Sequence, residues 1–343
     1  MTMAEHKSHI LGALRGSHAN RQLLPMLVFF IVVTPLIAAT ANSYWLSVIA
    51  SSAATALVIS GTGVLYGRLG LVSLCQFALA GVGGWIALRV HHAFHPPFEI
   101  SLLAGGLGAC VIGVLWGLPA LRLKGLYLAL VTLMFAGAFQ VAINVWGFPN
   151  GGPGFLGQVS GVPRVMMERP GLATSDPAYT AYVMVLLFLG LVLIEAHRRT
   201  RVGRSWALIR KNEAMAAAAG IPITFYKTWA FALAGFLAGI GGGALAGTFG
   251  QLDSAAFSAS ESILLFALTV VGGASIWMGA IVAAVIMRAV PALFNDVGVN
   301  GYVATIIFGA ALIHALINTP DGVSGQISTL VKRLFPDRRE KSP

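Results

Sequence analysis

The sequence predicts an all-α, polytopic transmembrane bundle of about ten spans (eight to ten), and three observations support that class. Hydrophobic residues make up 57% of the chain and charged residues only 10%, where a soluble domain carries about 25% charged. The apolar residues fall in runs close to the roughly 20 needed to cross a bilayer. Those runs do not alternate apolar with polar, which excludes a β-barrel.

The elements follow in order. Met1–Gln22 is polar, carries Lys7, Arg15 and Arg21, and reads as a cytoplasmic N-terminal segment. Leu23–Ala38 is apolar and leads into Ala39-Thr40-Ala41-Asn42, so a cleaved signal peptide is one reading. A retained first helix is the simpler reading, because the basic segment then holds the N-terminus inside. Spans are expected near 24–40, 45–65, 71–90, 100–120, 126–146, 179–195, 229–249, 262–272, 276–294 and 302–318. Together they form one transmembrane domain over 23–320. The eighth run is too short to cross alone, and Gly272-Gly273 separates it from the ninth, which suggests broken or re-entrant helices. Residues 321–343 form a basic tail.

Charge orients this scheme. With the N-terminus inside, 18 Lys/Arg fall on the inner side and only Arg89, Arg164 and Arg169 on the outer side, the bias expected of cytoplasmic loops. The inner set includes Arg68, Arg122, Lys124, Lys332, Arg333, Arg338, Arg339 and Lys341. Glu99, Glu168, Asp176, Asp253, Glu261 and Asp296 are placed outside. An even number of spans puts both termini in the cytoplasm. The net charge of +10 therefore marks loops rather than nucleic-acid binding.

The segment 196–228 is unusually basic, with Arg198, Arg199, Arg201, Arg204, Arg210, Lys211 and Lys227. Its alanines favour a helix over Arg204–Ala219, which Gly220 closes and Pro222 ends. Arg204, Arg210, Lys211 and Glu213 make a polar face; Trp206, Ile209 and Met215 supply apolar anchors, and Ala214 lies on a small face that permits close contact. Docking of a cytosolic partner and attachment to anionic lipid both fit these residues. The loop 147–178 lies outside, with a turn-forming run Asn150–Gly157.

Several motifs carry no chemistry. Gly239-Ile240-Gly241-Gly242-Gly243-Ala244 matches a dinucleotide fingerprint, but no strand precedes it. No GxxxxGK[ST] occurs, so the chain has no P-loop, no cofactor of its own is expected, and any ATP belongs on a partner. His91, His92 and His95 lack a carboxylate or cysteine to complete a metal set, so no metal is expected. Cys75 and Cys110 both lie in apolar runs. No paired His/Asp/Glu set in the spans suggests catalysis, so the chain reads as no enzyme. Arg288 is the main charge within a span. That scarcity argues against an ion-coupled secondary transporter, which needs intramembrane acids or histidines.

Milder polar residues remain. Ser73, Gln76, Thr132, Gln140 and Asn144 are candidates to line a pathway, Gln140 and Asn144 sharing a helix face one turn apart. Ser262 and Thr269 are also polar within spans. Such residues tie helices together as well. Gly235, Gly239, Gly243 and Gly247 recur every fourth position, making a smooth ridge for a neighbouring backbone, and Gly113 and Gly117 repeat the device.

Gly70–Ala78, Leu121–Thr132, Asn150–Gly157, Gly203–Ile221 and Val270–Gly273 together resemble LivM-type permeases of branched-chain amino acid ABC importers, over roughly Val58–Ile317. The resemblance implies that Gly203–Ile221 is a coupling helix, related to the EAA loop of ABC permeases. It further implies a LivH-type second permease, two cytosolic ATPases of LivG/LivF type and an extracytoplasmic solute-binding protein. Arg204, Trp206, Arg210, Lys211, Glu213, Ala214 and Gly220 are then the residues expected to meet an ATPase. Close relatives carry urea or other amides, so the resemblance leaves amino acid and short amide open as the solute.

Overall fold

A computed structural model describes residues 23–123, 125–159 and 165–298, with positions 306, 309 and 310. The N-terminal segment, the expected span at 302–318 apart from those positions, and the basic tail lie outside the described residues.

Every regular element among the described residues is helical. In order they are α1 (Leu23–Thr40), α2 (Ser43–Thr62) with a π-helical extension Gly63–Arg68, α3 (Gln76–Phe94), α4 (Phe98–Gly117), α5 (Leu126–Trp146) and α6 (Asp176–Arg199). Then come α7 (Arg201–Lys211), α8 (Glu213–Ala218), α9 (Ile223–Phe249), α10 (Ala259–Gly272) and α11 (Trp277–Asp296).

Among the described residues seven helices are long and apolar enough to cross a bilayer: α1, extended α2, α4, α5, α6, α9 and α11. Of the ten spans expected, the one at 302–318 lies mostly outside the described residues and two others fall short for identifiable reasons. α3 has 19 residues, but its glycines, histidines and Gln76 dilute its hydropathy. α10 has 14, about 21 Å at 1.5 Å per residue, against a hydrocarbon core of about 30 Å. The third run also starts later than expected, at Gln76 rather than 71, because residues 70–75 are not helical. Part of their backbone is satisfied internally, as burial requires. Leu71 N–H bonds Leu65 O at 3.0 Å, and Leu74 N–H donates to Thr132 Oγ1 at 2.9 Å.

Local chemistry sets the helix ends. Asn42 caps α2 by accepting from Trp45 N at 2.9 Å. Ser258 caps α10 by accepting from Glu261 N at 3.3 Å, the Ser-x-x-Glu spacing of a capping box. Gly250 and Gly273 close α9 and α10 with φ of 71° and 100°, a conformation that penalises any residue with a Cβ.

α2 and α9 form the core, each 89% buried along its most apolar window. A helix apolar on every side belongs in such a position. The glycines of α9 let its neighbours approach to backbone contact. A Cβ on Gly235 would stand 2.5 Å from Ala109 O of α4, one on Gly239 2.5 Å from Gly105 O, and one on Gly241 2.7 Å from Ala54 O of α2. Gly243 faces Leu102, and Gly247 lies against Phe98 and Tyr179. Tyr179 Oη donates to Ala244 O at 2.7 Å, tying α6 to α9. α5, α10 and α11 flank this core.

The bundle has two ends. At one, Arg68 Nη2 donates to Ser275 O at 3.0 Å, in the turn between α10 and α11. The short α10 therefore returns to the end where α2 finishes, and α10 and α11 make a hairpin. At the other end, Met167 N–H bonds Gly250 O at 2.8 Å, and Arg89 Nη2 donates to Gly154 O at 2.6 Å.

Candidate functional site

The basic segment folds against the Arg68 end of the bundle. It is not the single helix Arg204–Ala219 that its alanines suggest. Asn212 divides it, with an extended backbone (φ −163°, ψ 118°) and a side chain that accepts from Ala214 N at 2.8 Å and Met215 N at 3.2 Å. Asparagine competes with the helix for backbone donors and is a strong N-cap. Ala in its place should cost α8 about 1 kcal/mol. The check is hydrogen exchange. The Ala214 and Met215 amides should exchange faster in Asn212→Ala, with α9 unchanged; unaltered protection of both would refute the cap.

Trp206 does not face outward as an anchor for a partner. It is 1% exposed, and its Nε1 donates to Tyr226 O of α9 at 3.0 Å. Ile209 and Ala216 are buried beside it. These residues seat the α7–α8 hairpin on the bundle. The outward face holds Arg201, Arg204, Leu208, Lys211, Ala214, Met215 and Gly220, and Gly220 ends the hairpin at φ 74°.

The charges divide in the same way. Glu195 accepts from Arg198 Nη2 at 2.5 Å and Arg199 Nε at 3.0 Å. Lys227, 1% exposed, meets Glu213 at 2.9 Å. Arg210 donates to Gly67 O, within the π-helical turn, where the wider winding changes the carbonyl pairing. Gly63 and Gly67 in turn press on the Ala274 carbonyl. One chain of contacts thus runs from α7 through the end of α2 to the α10–α11 turn.

The pathway candidates do not form one set. Ser73 is buried and its Oγ lies 3.3 Å from Cys75 Sγ. Thr132 is buried and holds Leu74 N. Gln140 Oε1 accepts from Ala259 N at 2.9 Å and braces the start of α10. Asn144, one turn on, is exposed. Gln76 is 1% exposed, and neither polar atom of its side chain has a partner.

A second polar group gathers around Arg288. Its Nε donates to Thr55 Oγ1 at 3.2 Å, and its guanidinium carbon sits 5.5 Å from the Phe77 ring centroid. Arg288 stands out in the sequence, but Thr55 does not, nor does the place of Glu261 in the first turn of α10, at the end of the bundle away from Arg68. The Ser258-x-x-Glu261 spacing was the available signal, since it puts Glu261 inside a helix.

At the far end, residues 147–159 form a built loop. Asn150 closes it by bonding Val159 in both directions, at 2.8 and 2.9 Å, and Trp85 packs against Phe155 at 5.7 Å. His91 is mostly buried and accepts from Glu168 N at 3.2 Å. Among the described residues no group of three His, Cys, Asp or Glu is placed to hold a metal.

Residues 44–316 match the family model described as branched-chain amino acid transport system / permease component. The chain belongs to that family. Its relatives include two proteins named high-affinity branched-chain amino acid transport system permease protein LivM. The one from Salmonella typhimurium strain LT2 is 27% identical over 336 residues, covering 92% of this chain and 77% of the relative. The one from Escherichia coli strain K12 is 27% identical over 282 residues, covering 77% of this chain and 66% of the relative. No solved structure matches. The resemblance drawn from motifs to the LivM-type permeases is therefore correct. This LivM-type permease component is a multi-pass membrane protein, and both the α7–α8 hairpin and the Arg288 group lie within the matched residues.

Proposed function

We propose that this permease is the LivM-type subunit of an ATP-driven importer for branched-chain or related amino acids. It works with a LivH-type second permease, two cytosolic ATPases of LivG/LivF type that bind the ATP, and an extracytoplasmic solute-binding protein. Both termini lie in the cytoplasm. α3 and α10 complete ten crossings with the 302–318 run, since each connects the two ends of the bundle. The α7–α8 hairpin and the basic tail are then cytoplasmic, and the loop 147–178 faces the binding protein.

The observation that carries this reading is the contact of Arg210 with the Gly67 carbonyl. An ATPase that engages the exposed Arg204–Lys211–Ala214 face pulls on α7. Arg210 passes that pull to the end of α2, and Arg68 passes it to the α10–α11 turn through Ser275 O. A charged hydrogen bond of this kind contributes about 1.5–3 kcal/mol, enough to bias a two-state gate.

The test is ATP-dependent amino acid uptake in vesicles. Arg210→Ala should lower uptake roughly tenfold, the equivalent of about 1.4 kcal/mol, with the ATPases still bound. Arg210→Lys, a point donor without the guanidinium fork, should fall between. Normal uptake in Arg210→Ala with normal ATPase association would sink this route of coupling.

A further inference from the structure

Arg288 is underused for a half-buried arginine within a membrane helix. A guanidinium has five N–H donors in a rigid fork, and among the described residues only Nε makes a hydrogen bond, to Thr55 Oγ1. The Phe77 ring lies beneath it, and Phe257 stacks on Phe77 at 5.1 Å. The terminal nitrogens, which match a carboxylate two by two, have no protein partner among those residues.

Glu261 sits in the first turn of α10, the helix packed along α11. It lies as far before the end of α10 as Arg288 lies past the start of α11, so the hairpin sets the two residues level. The two side chains nevertheless form no ion pair. A charge pair kept for stability closes, because an open one costs desolvation and returns little. The chain neighbours of Phe77 and of Glu261 include buried polar groups with no hydrogen-bond partner among the described residues. Gln76 precedes Phe77, and both of its polar atoms are orphaned. Ser262 follows Glu261, is 1% exposed, and has an orphaned hydroxyl. Buried polar atoms are nearly always paired. An open positive and negative charge, each half-buried, with buried orphaned polar groups nearby in the chain and in helices otherwise almost free of charge, is the pattern of a site awaiting a ligand.

We infer that Arg288 and Glu261 hold the two charged ends of a zwitterionic α-amino acid on its way through the membrane, the carboxylate on the Arg288 fork and the ammonium on Glu261. The inference rests on the amino-acid reading above and adds to it the intramembrane residues that recognise the backbone of the solute. The Phe77–Phe257 stack offers an apolar wall to the solute's side chain. The binding protein chooses among side chains; this site requires both charges.

Ligand-induced stabilisation tests the inference without ATP, because anything that binds the folded state raises its melting temperature. The probe is L-leucine in excess, added to the purified permease complex in detergent without binding protein. L-leucine should raise the melting temperature. Isoamylamine, which lacks the carboxylate, and 4-methylpentanoate, which lacks the amine, should not. Arg288→Gln and Glu261→Gln should each abolish the leucine shift. Should Arg288→Gln fail to fold, Arg288→Lys and Glu261→Gln carry the test, with Arg288→Lys weakening the shift. A leucine shift that survives in the Gln variants overturns the inference, as does an equal shift with 4-methylpentanoate. No shift in the unaltered complex also overturns it. ATP-driven leucine uptake by that same complex would then keep the permease reading standing, whereas absence of such uptake would count against both.

Discussion

Gly242→Val should prevent this permease from assembling. A Cβ at Gly242 would overlap the Ala80 carbonyl and come within 3.0 Å of Gly84 N, and both obstacles are backbone. A flexible side chain can swing away from an intruding methyl, but a helix cannot without opening the α3–α9 contact along its length. Overpacking a close-fitted core costs about 1–3 kcal/mol even where side chains adjust. With backbone against backbone the cost should approach the whole stability of about 5–15 kcal/mol. The expected result is loss of the monodisperse peak in detergent gel filtration and of membrane-inserted protein. Gly137→Ala in α5 is the control. Nothing lies within 4 Å of a Cβ there, so helix propensity alone applies, and stability should rise by about 0.5–1 kcal/mol. A folded Gly242→Val with an unchanged melting temperature would refute backbone contact between α3 and α9.

The same glycines show what the sequence makes legible. Gly235, Gly239, Gly243 and Gly247 share a face because 3.6 residues make a turn, so their role in close packing is readable from spacing alone. Gly241 and Gly242 lie off that ridge and serve α2 and α3. Spacing does not reveal them, because an α9 buried on all sides has no distinguishing stripe. The motif Gly70–Ala78 stands out in the sequence, but its non-helical stretch before Gln76 does not. Apolar composition there suggests a helix, and only a partner 58 residues away, Thr132, satisfies the alternative.

The basic loop was legible in composition and misread in detail. Its seven cations look alike in sequence. Folding divides them into Arg198 and Arg199 on Glu195, Lys227 on Glu213, Arg210 on a carbonyl, and Arg201, Arg204 and Lys211 on the exposed face. Trp206 reads as an anchor for a partner because it is large and lies beside arginines. It faces α9 because the spacing of Trp206, Ile209 and Ala216 sets an inward stripe, broken at Asn212, that a single uninterrupted helix would place differently. Arg288 stands out as a lone intramembrane cation. Its complement Glu261 is hidden at the edge of an apolar run, where an acid looks like a loop residue.

Glu213→Ala should be the most damaging single change in the α7–α8 hairpin. It strands Lys227, whose side chain is 1% exposed, in a site built around the 2.9 Å ion pair. Removing one partner of a buried pair costs about 3–5 kcal/mol, because the remaining charge is uncompensated, while replacing both partners with apolar groups is often neutral. The reciprocal Lys227→Met should cost less, since Glu213 is 26% exposed and can recover solvent. The double variant Glu213→Ala/Lys227→Met should therefore be more stable than Glu213→Ala alone, an inversion that only direct coupling produces. Thermal unfolding of the four proteins measures it. If the two single costs simply add, the pair is not coupled. Uptake separates stability from transmission. If Glu213 serves chiefly to pin α8 to α9, the double variant regains stability while its ATP-dependent uptake stays low, because an apolar contact permits sliding where an ion pair fixes register. If the double variant recovers uptake along with stability, the hairpin needs only to be folded, and the coupling proposed above travels through Arg210 alone.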